Sequence, residues 1–397
     1  MHPTPTTSPT AHPNTHPNAH PNTTPGAARV PPHLLEGRRA SWFELFFDLA
    51  FVTAVAQLTA ALSHHYDAAG LAQFVVALLL LWWTWLGHTF HSTRFDEDRP
   101  DQHLLGMLQI GAVIVIAFGA GAAFGERGGS FAAGMAALKL LLLAAYLRER
   151  RRPGAEGLAG RYALIYAAQG LLWLGSIALA GPSRWAAWAA VLALDIASPF
   201  VVARHTHGYP PHPEHLPERF GLFTIIVMGE GVAAVLHALL HAGAIGLHAA
   251  ALALLGLALA FFYWVGYFER VRAQRELHIT DAAAGRRLRG WAYGHVPLLI
   301  GVCVGAAGLV AASGHEAPPL APWLLGVGIT LAMGGLTVIG AAQADAAVPR
   351  ARHVANAVLA LLPLLAATMD SSLVVLAAGV ATALLQLRLA RARGAAA

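Results

Sequence analysis

The sequence predicts an all-α, polytopic membrane protein with about 12 transmembrane helices, arranged as two parallel six-helix repeats after a disordered N-terminal tail. Composition is the first reason: 56% of the 397 residues are hydrophobic and 12% are charged, with a mean hydropathy of +0.55. Soluble domains carry about 25% charged residues. These figures exclude a soluble enzyme, a disordered scaffold and, with Cys303 alone, a disulfide-rich secreted module. The spacing of apolar runs and the distribution of arginine are the other reasons.

Residues 1–36 differ from the rest of the chain, because they are rich in proline, histidine, asparagine and threonine. Proline interrupts helices and strands, and few apolar side chains are available for burial, so this segment is predicted to be a disordered tail. It lacks the apolar region of a signal peptide. His2, His12, His16 and His20 are candidates for weak binding of a transition metal, although a solvated tail is the favoured interpretation.

Twelve apolar runs follow the tail, each near the 20 or so residues that a helix needs to cross a bilayer. They are Phe43–His64, Gly70–Ser92, His103–Phe124, Ser130–Leu147, Arg161–Gly181, Arg184–Ala203, Glu218–His241, Gly246–Phe268, Gly290–Ala311, Ala321–Ala342, Ala351–Thr368 and Ser372–Leu389. Span eleven is short and contains Pro363, so it is the least secure of the twelve.

The basic residues test this count, since loops on alternate sides of a membrane protein differ in their content of Lys and Arg. One set of loops contains 23 of the 26 Lys and Arg residues, whereas the other contains only Arg127 and Arg184, and Lys139 lies inside span four. Both termini are therefore predicted to be cytoplasmic, in a multi-pass protein of the plasma (inner) membrane. The positive charge indicates topology and contact with anionic lipid of the bilayer, and no nucleic-acid partner is expected.

Two short sequence matches suggest an internal repeat, with a first half at residues 37–205 and a second at residues 206–397. The matched segments are Glu44–Phe47 with Glu218–Gly221, and Trp82–Gly87 with Phe261–Gly266. Because each half has an even number of spans, both halves would begin on the same side and be related by an axis along the membrane normal. Aromatic residues also collect at membrane interfaces, so convergent helix-end chemistry is the alternative explanation.

Four ionisable residues inside the spans are predicted to form or gate an ion pathway, since such residues are costly in lipid and usually functional. Asp48 follows two phenylalanines near the start of span one, and Asp195 lies deep in span six. Glu230 lies about 18 Å into span seven, near the midplane. Lys139 needs a carboxylate partner to keep its proton, and Asp195 and Glu230 are the deepest candidates.

A second group lies near the predicted cytoplasmic ends of the spans and is interpreted as the entrance to that pathway. Its members are Glu44, Glu218, Arg94, Asp96 and Arg219. Glu44 and Glu218 stand where helices begin, so helix capping and function are equally open for them. The mixed charges around Arg94 and Asp96 also fit a plain solvated loop.

Histidines form the third group of candidates. His88 and His295 lie inside spans two and nine and are candidate proton relays, because histidine titrates near neutral pH. His237 and His241 are spaced to share one helix face, as metal ligands often are. No third ligand can be identified, so structural or interfacial histidine is favoured, and neither a metal site nor a cofactor is predicted.

Four stretches of the sequence carry a family resemblance. They are Ser41–Val52 continuing to Gln57-Leu58, Arg94-Phe95-Asp96, His215-x-x-Glu218-Arg219-Phe220-Gly221-Leu222-Phe223 running to Gly229-Glu230, and Tyr267-Phe268 with Gly294-His295-x-Pro297. In this order they resemble the motifs of the bacterial low temperature requirement protein A (LtrA) family, over residues 38–390. The resemblance implies a polytopic membrane protein linked to growth at low temperature, and it implies no settled biochemical activity.

A weaker likeness concerns architecture. Two six-helix repeats, the first opening with Phe46-Phe47-Asp48, are similar to a potassium and proton channel family of lysosomes and bacteria, whose repeats each begin with a Phe-Ser-Asp motif. Here Phe47 stands in the serine position, and Leu222 stands where the second aspartate would be. The likeness therefore supports the architecture more than an ion selectivity.

Three functional hypotheses follow from these residues. The leading one is a channel or transporter of protons or small cations that uses its intramembrane carboxylates and is not an enzyme. The alternative is a non-transporting stress-adaptation protein that acts through lipid or a partner. An intramembrane enzyme ranks last, since no nucleophile motif, metal triad or phosphate loop is present. The oligomeric state, including a homo-oligomer, stays open.

Overall fold

A computed structural model describes residues 40–95, 100–206, 209–242, 246–272, 281–314, 317–343 and 349–391. The predicted tail and the entrance residue Asp96 lie outside these residues. In the described part of the chain every regular element is a helix and no strand is present, which confirms the predicted all-α class.

The helices follow the apolar runs of the sequence closely. In the first half they are α1 (Trp42–Leu62), α2 (Ala68–Phe95), α3 (Pro100–Ala120), α4 (Gly128–Glu149), α5 (Glu156–Ile177), α6 (Gly181–Val201) and the short α7 (Ala203–Thr206). In the second half they are α8 (His215–His241), α9 (Leu247–Arg272), α10 (Ala282–Ser313), α11 (Ala321–Gln343), α12 (Arg350–Ala360), α13 (Leu362–Ala366) and α14 (Ser372–Arg391).

The two ends of the helix bundle differ in their content of arginine. α1 and α8 begin at the same end, where Arg219 of α8 bonds to Glu44 of α1. We call this end the basic side, because the ends of α2 and α4, the short α7 and the start of α10 bring further arginines there. Arg127 and Arg184 lie at the other end, at the starts of α4 and α6, which we call the opposite side.

Eleven helical segments of the described chain are long and apolar enough to cross a membrane, against the twelve spans that the sequence predicts. The difference is α5, which is 22 residues long and begins at Glu156 rather than at Arg161. Arg161, Gln169 and two tyrosines reduce its apolar character. The predicted helix is confirmed there, whereas its crossing of the membrane stays a prediction. α5 packs against α4 and α6.

Span eleven, the least secure of the predicted spans, is long and apolar enough to cross a membrane, but its helix is interrupted. α12 ends at Ala360, and α13 begins one residue before Pro363 and continues into a 3-10 turn at Ala367–Met369. Proline cannot accommodate the carbonyl group four residues earlier. The carbonyl of Leu359 instead accepts a hydrogen bond from the Thr382 hydroxyl of α14 at 3.4 Å. A side chain of α14 thus replaces the backbone hydrogen bond that is lost at the break.

Helix neighbours occur in the same order in both halves. α1 packs against α2 and α3, α4 against α2, α3 and α5, and α6 against α5 and α2. In the second half α8 packs against α9 and α10, α11 against α9, α10 and α13, and α14 against α13 and α9. The first helices of the two halves, α1 and α8, also contact each other. This order is what the predicted repeat requires, and the repeat itself stays a prediction.

The tightest helix pair, α10 with α11, depends on glycine. A Cβ atom at Gly301 would collide with the backbone of Ala332 and Gly328, and one at Gly328 would collide with the backbone of Gly305. Small residues allow helices to approach this closely in membranes. The pairing holds α10 in place, and α10 lines the cavities described below.

Candidate functional site

The basic-side ends of α1 and α8 meet in a group of buried ionisable side chains, Glu44, Asp48, His215 and Arg219, which we call the charge cluster. The Arg219 guanidinium binds Asp48 in a bidentate manner, with Nε 3.1 Å from Oδ2 and Nη2 2.7 Å from Oδ1. Its Nη1 donates to Glu44 Oε1 at 2.5 Å. Asp48 and Arg219 are both 0% exposed, so the first helices of the two halves are joined by ion pairs inside the protein.

Further bonds satisfy the remaining oxygen atoms of the charge cluster. His215 Nε2 lies 3.0 Å from Glu44 Oε2, and the Trp85 indole N–H of α2 donates to Asp48 Oδ1 at 2.8 Å. Glu44 Oε2 also accepts the backbone N–H of Ser41 at 2.9 Å, while the Ser41 hydroxyl accepts the Glu44 N–H, which completes a capping box. Glu44 therefore both caps α1 and pairs with α8.

Glu218 makes the corresponding contact in the other direction. Its Oε2 accepts the backbone N–H of Ala40, just before α1, at 2.8 Å. Each half thus places a glutamate from the first turn of its first helix against the other half. Capping, which the sequence left open beside function, is observed for Glu44, whereas the contact described for Glu218 is with Ala40, just before α1.

Beyond the charge cluster, α1 and α8 each bury two apolar side chains around a small void. Phe51 and Val55 of α1 and Phe223 and Val227 of α8 are buried, and we call these four residues the apolar layer. They surround a void of about 10 Å³ together with side chains of α2 and α10. A buried water needs about that volume and two to four polar partners. Because the lining is apolar, the void offers water no such partners.

On the other side of the apolar layer, α1, α8 and α10 line a cavity of about 660 Å³ that we call the vestibule. Its polar lining includes Gln57, His64, Tyr66, Glu230 and His237. His64 and Gln57 are exposed, and Glu230 is half-buried. Burial raises the pKa of the Tyr66 phenol above its usual value, so this group stays a neutral donor. The vestibule therefore reaches Glu230 from the opposite side of the bundle.

A second buried ion pair lies within the first half. Lys139 Nζ of α4 is 2.9 Å and 3.1 Å from the two carboxylate oxygens of Asp195 on α6. The Gln169 side-chain amide of α5 donates to Asp195 Oδ1 at 2.9 Å. The predicted carboxylate partner of the lone lysine is confirmed as Asp195 rather than Glu230. Lys139, Asp195 and Gln169 together connect α4, α6 and α5 within the first half. No hydrogen bond joins this group to Asp48 or Glu230 among the described residues.

Comparison with known proteins assigns the chain that forms these sites to a family. Residues 39–387 match the family described as bacterial low temperature requirement A protein (LtrA), and that range includes the charge cluster, the apolar layer and the vestibule. The chain belongs to the LtrA family. An uncharacterized protein of Rhizobium meliloti (strain 1021) is 28% identical over 203 residues, which is 49% of this chain and 50% of that relative. The match therefore spans about half the length of the relative.

The two predicted relay histidines of this LtrA-family protein have structural partners. His295 Nδ1 lies 2.9 Å from the Trp291 carbonyl, which can only accept, so Nδ1 carries the proton. Its Nε2 then accepts from the Tyr267 hydroxyl at 3.0 Å. The His88 ring stacks on Phe47 with centroids 3.7 Å apart. The partners of His295 are a phenol and a carbonyl, and neither is a carboxylate. The role of His295 as a proton relay therefore stays a prediction.

The entrance arginines separate in space. Arg219 lies in the charge cluster, whereas Arg94 lies over the rings of Phe90 and Tyr162, with its guanidinium carbon 5.0 Å and 5.8 Å from their centroids. Arg94 therefore belongs to a different surface, between α2 and α5. Its predicted neighbour Asp96 lies outside the described residues.

Two contributors to the charge cluster, His215 and Trp85, were absent from the predicted site residues. Both carried a signal in the sequence. His215 precedes Arg219 by four residues, just as Glu44 precedes Asp48 by four, so each helix presents one stripe of polar groups to its partner. Trp85 belongs to the aromatic end of α2, where its indole N–H needed an acceptor once buried.

No group of three or more His, Cys, Asp or Glu side chains that could hold a metal ion is found among the residues that the structure describes. His237 lines the vestibule, and the side chain of His241 lies outside the described part. The paired-histidine hypothesis therefore gains no ligand from its surroundings.

Proposed function

We propose that this LtrA-family protein moves protons or small cations across the membrane along the contact between α1 and α8. The observation that carries the proposal is the vestibule, which reaches the intramembrane carboxylate Glu230 from the opposite side. A carboxylate at the inner end of a cavity attracts cations and accepts protons. The proposed orientation places the basic side in the cytoplasm, because arginine favours that side of a membrane.

In this proposal the described structure is the closed state. Glu230 lies 11 residues beyond Arg219 on α8, about 17 Å along the helix, and the apolar layer fills the interval. Apolar constrictions exclude ions and water from a pathway until they widen. Opening would require α1 and α8 to separate at Val55 and Val227, and Asp48 would then become accessible from the vestibule.

The two halves suggest why the pathway would lie between α1 and α8. If the halves are parallel repeats, their shared axis passes between their first helices, and transporters place their ion sites at such interfaces near the midplane. The charge cluster would close the basic-side end of that axis. Glu44 and Glu218 would hold the closed end together, and Glu230 would be the ion-binding carboxylate.

Flux in proteoliposomes tests the proposal. Purified protein is reconstituted, gradients of protons, sodium or potassium are imposed singly, and internal pH or ion content is followed. Wild-type protein should dissipate at least one gradient, and Glu230→Gln should reduce the rate about tenfold or more, because its ion-binding charge is lost. Glu156→Gln, which removes an exposed carboxylate of α5, is the matched control and should keep the wild-type rate.

The absence of flux in wild-type protein, for every cation tested, would overturn the proposal. The rival function would then be a non-transporting stress-adaptation protein acting through lipid or a partner. One observation favours that rival: every charged group of the charge cluster has a bonded partner of opposite charge or a hydrogen-bonding neighbour. Such an arrangement also suits a purely structural joint.

A further inference from the structure

A second cavity, of about 400 Å³, lies on the basic side between the two halves of the protein. The ends of α2 and α6, the short α7 and the start of α10 line it, and we call it the crevice. It differs from the vestibule, which lies on the opposite side, and none of the four residues of the charge cluster lines it. Its volume is within the range of about 300–1,000 Å³ that small-molecule sites in proteins occupy.

The interior of the crevice is mostly apolar. Its apolar lining includes Trp83, Leu86 and Phe90 of α2, Val202 at the end of α6 and Leu288 of α10. Four of these five side chains are buried. An apolar cavity of this kind suits hydrocarbon and gives nothing to a small hydrated ion.

Four arginines line the same crevice: Arg94, Arg204, Arg286 and Arg289. Among the residues that the structure describes, Asp195 is the one acidic residue of this lining, and that carboxylate is already paired with Lys139. Arg94 is only 2% exposed, yet its Nε has no hydrogen-bond partner among the described residues. A buried guanidinium N–H without an acceptor is costly, so the crevice offers positive charge and an unused donor to an anion.

The crevice borders the lipid-facing surface between α6 and α10. Two contacts bridge these helices: the Tyr293 hydroxyl donates to the Ile196 carbonyl at 3.2 Å, and Arg289 lies 5.3 Å above the Phe200 ring. Phe200 and Val201, at the end of α6, are 58% and 53% exposed. Exposed side chains of this size on a membrane helix face hydrocarbon, so lipid lies beside the opening of the crevice.

We propose that the crevice binds an anionic phospholipid, with its phosphate among the arginines and an acyl chain between α6 and α10. Basic pockets between transmembrane helices recognise anionic head groups in this way, and guanidinium groups pair with phosphate through two parallel hydrogen bonds. A free phosphate ion would satisfy the arginines and leave the apolar interior empty. The bound lipid joins the two halves, and this inference does not depend on transport activity.

Native mass spectrometry of the purified protein tests the inference, with dioleoyl phosphatidylglycerol and dioleoyl phosphatidylcholine as probes. One phosphatidylglycerol per chain should resist delipidation, and phosphatidylcholine should not replace it. The double variant Arg286→Gln, Arg289→Gln should bind phosphatidylglycerol about 30-fold more weakly, since each arginine near anionic lipid contributes about a fivefold gain in affinity.

Matched controls separate the crevice from general surface charge. Arg350→Gln with Arg388→Gln removes two exposed arginines of the basic side that lie outside the crevice, and its affinity should stay at the wild-type value. Ala203→Trp keeps every charge but fills the crevice, and it should weaken binding as strongly as the arginine pair. This variant also serves if the arginine pair does not fold.

Three outcomes would overturn the inference. An equal loss of affinity for phosphatidylglycerol in the two double arginine variants would mean that the lipid is attracted by general surface charge and not by the crevice. Unchanged binding in Ala203→Trp would place the lipid elsewhere. Competition by millimolar inorganic phosphate, with phosphatidylglycerol displaced from wild-type protein, would mean that the crevice holds a soluble anion instead.

Discussion

The two ends of the α1–α8 contact hold carboxylates in opposite surroundings. At the basic side Asp48 is wholly buried and accepts three hydrogen bonds from Arg219 and Trp85. At the other end Glu230 is half-buried and lines a cavity of about 660 Å³. The difference teaches that an intramembrane carboxylate is not functional by depth alone. Asp48 has hydrogen-bonding partners that account for its burial, whereas Glu230 lines an open cavity, on which the proposed ion access depends.

Removal of Arg219 should produce the largest effect on stability. Arg219→Gln leaves Asp48 and Glu44 buried beside each other without their cation, and breaking a buried ion pair by removing one partner costs about 3–5 kcal/mol. Denaturant unfolding in detergent micelles measures the free energy of unfolding. Arg350→Gln, which removes an exposed arginine, should stay within about 0.5 kcal/mol of wild type.

If Arg219→Gln lowers the free energy of unfolding by less than about 1 kcal/mol, the charge cluster does not stabilise the protein more than the surroundings of Glu230 do. Arg219→Lys sharpens the same test. Lysine keeps the charge but cannot make the bidentate contact with Asp48, so its loss of stability should fall between those of the wild type and Arg219→Gln.

The second buried ion pair should behave like the charge cluster and unlike Glu230. Lys139→Leu leaves Asp195 with only the Gln169 amide, and we expect a loss of about 3 kcal/mol in the free energy of unfolding. Adding Asp195→Leu to this variant should recover part of the loss, because the uncompensated charge is removed. A double variant that is no more stable than Lys139→Leu would contradict this account.

The apolar layer should show an intermediate cost in stability together with a gain in permeability. Val227→Ala removes two methyl groups from a buried position, which should cost about 1–2 kcal/mol. It also widens the constriction between the charge cluster and the vestibule, so the proposed flux should rise. Val338→Ala, at an exposed position of α11, is the control and should change neither quantity.

The sequence predicts the helices well and their meeting points poorly. Apolar runs of about 20 residues admit few other structures in lipid, so most helix positions follow from the sequence. A carboxylate partner for Lys139 was also predictable, because a lone buried lysine requires one, although the choice between Asp195 and Glu230 was not. His215 and Trp85 join the charge cluster only because α1 meets α8 and α2 there, and hydrophobic patterning does not specify which helices meet.

The position of Glu230 illustrates the same limit. Counting residues along α8 placed it near the midplane, where a charge is costly. The vestibule that receives it exists because Ala233 and Ala234 of α8 and Ala306 and Ala307 of α10 leave space in front of it. A cavity arises from small side chains on separate helices, so it becomes visible only when those helices are assembled.

The smallest effect on stability should come from Glu230→Gln, and it is the variant that separates the two ends most clearly. The side chain is half-buried and lines the vestibule, so its charge keeps contact with solvent and its replacement by the isosteric amide should change the free energy of unfolding by about 0.5 kcal/mol or less. Asp48→Asn, which makes the same chemical change inside the charge cluster, should cost several times more, because the Arg219 guanidinium loses one of its two buried carboxylates. Unfolding of both variants in one detergent measures the difference directly. Equal losses would mean that Glu230 is also a structural group, and the vestibule would then no longer distinguish it from Asp48.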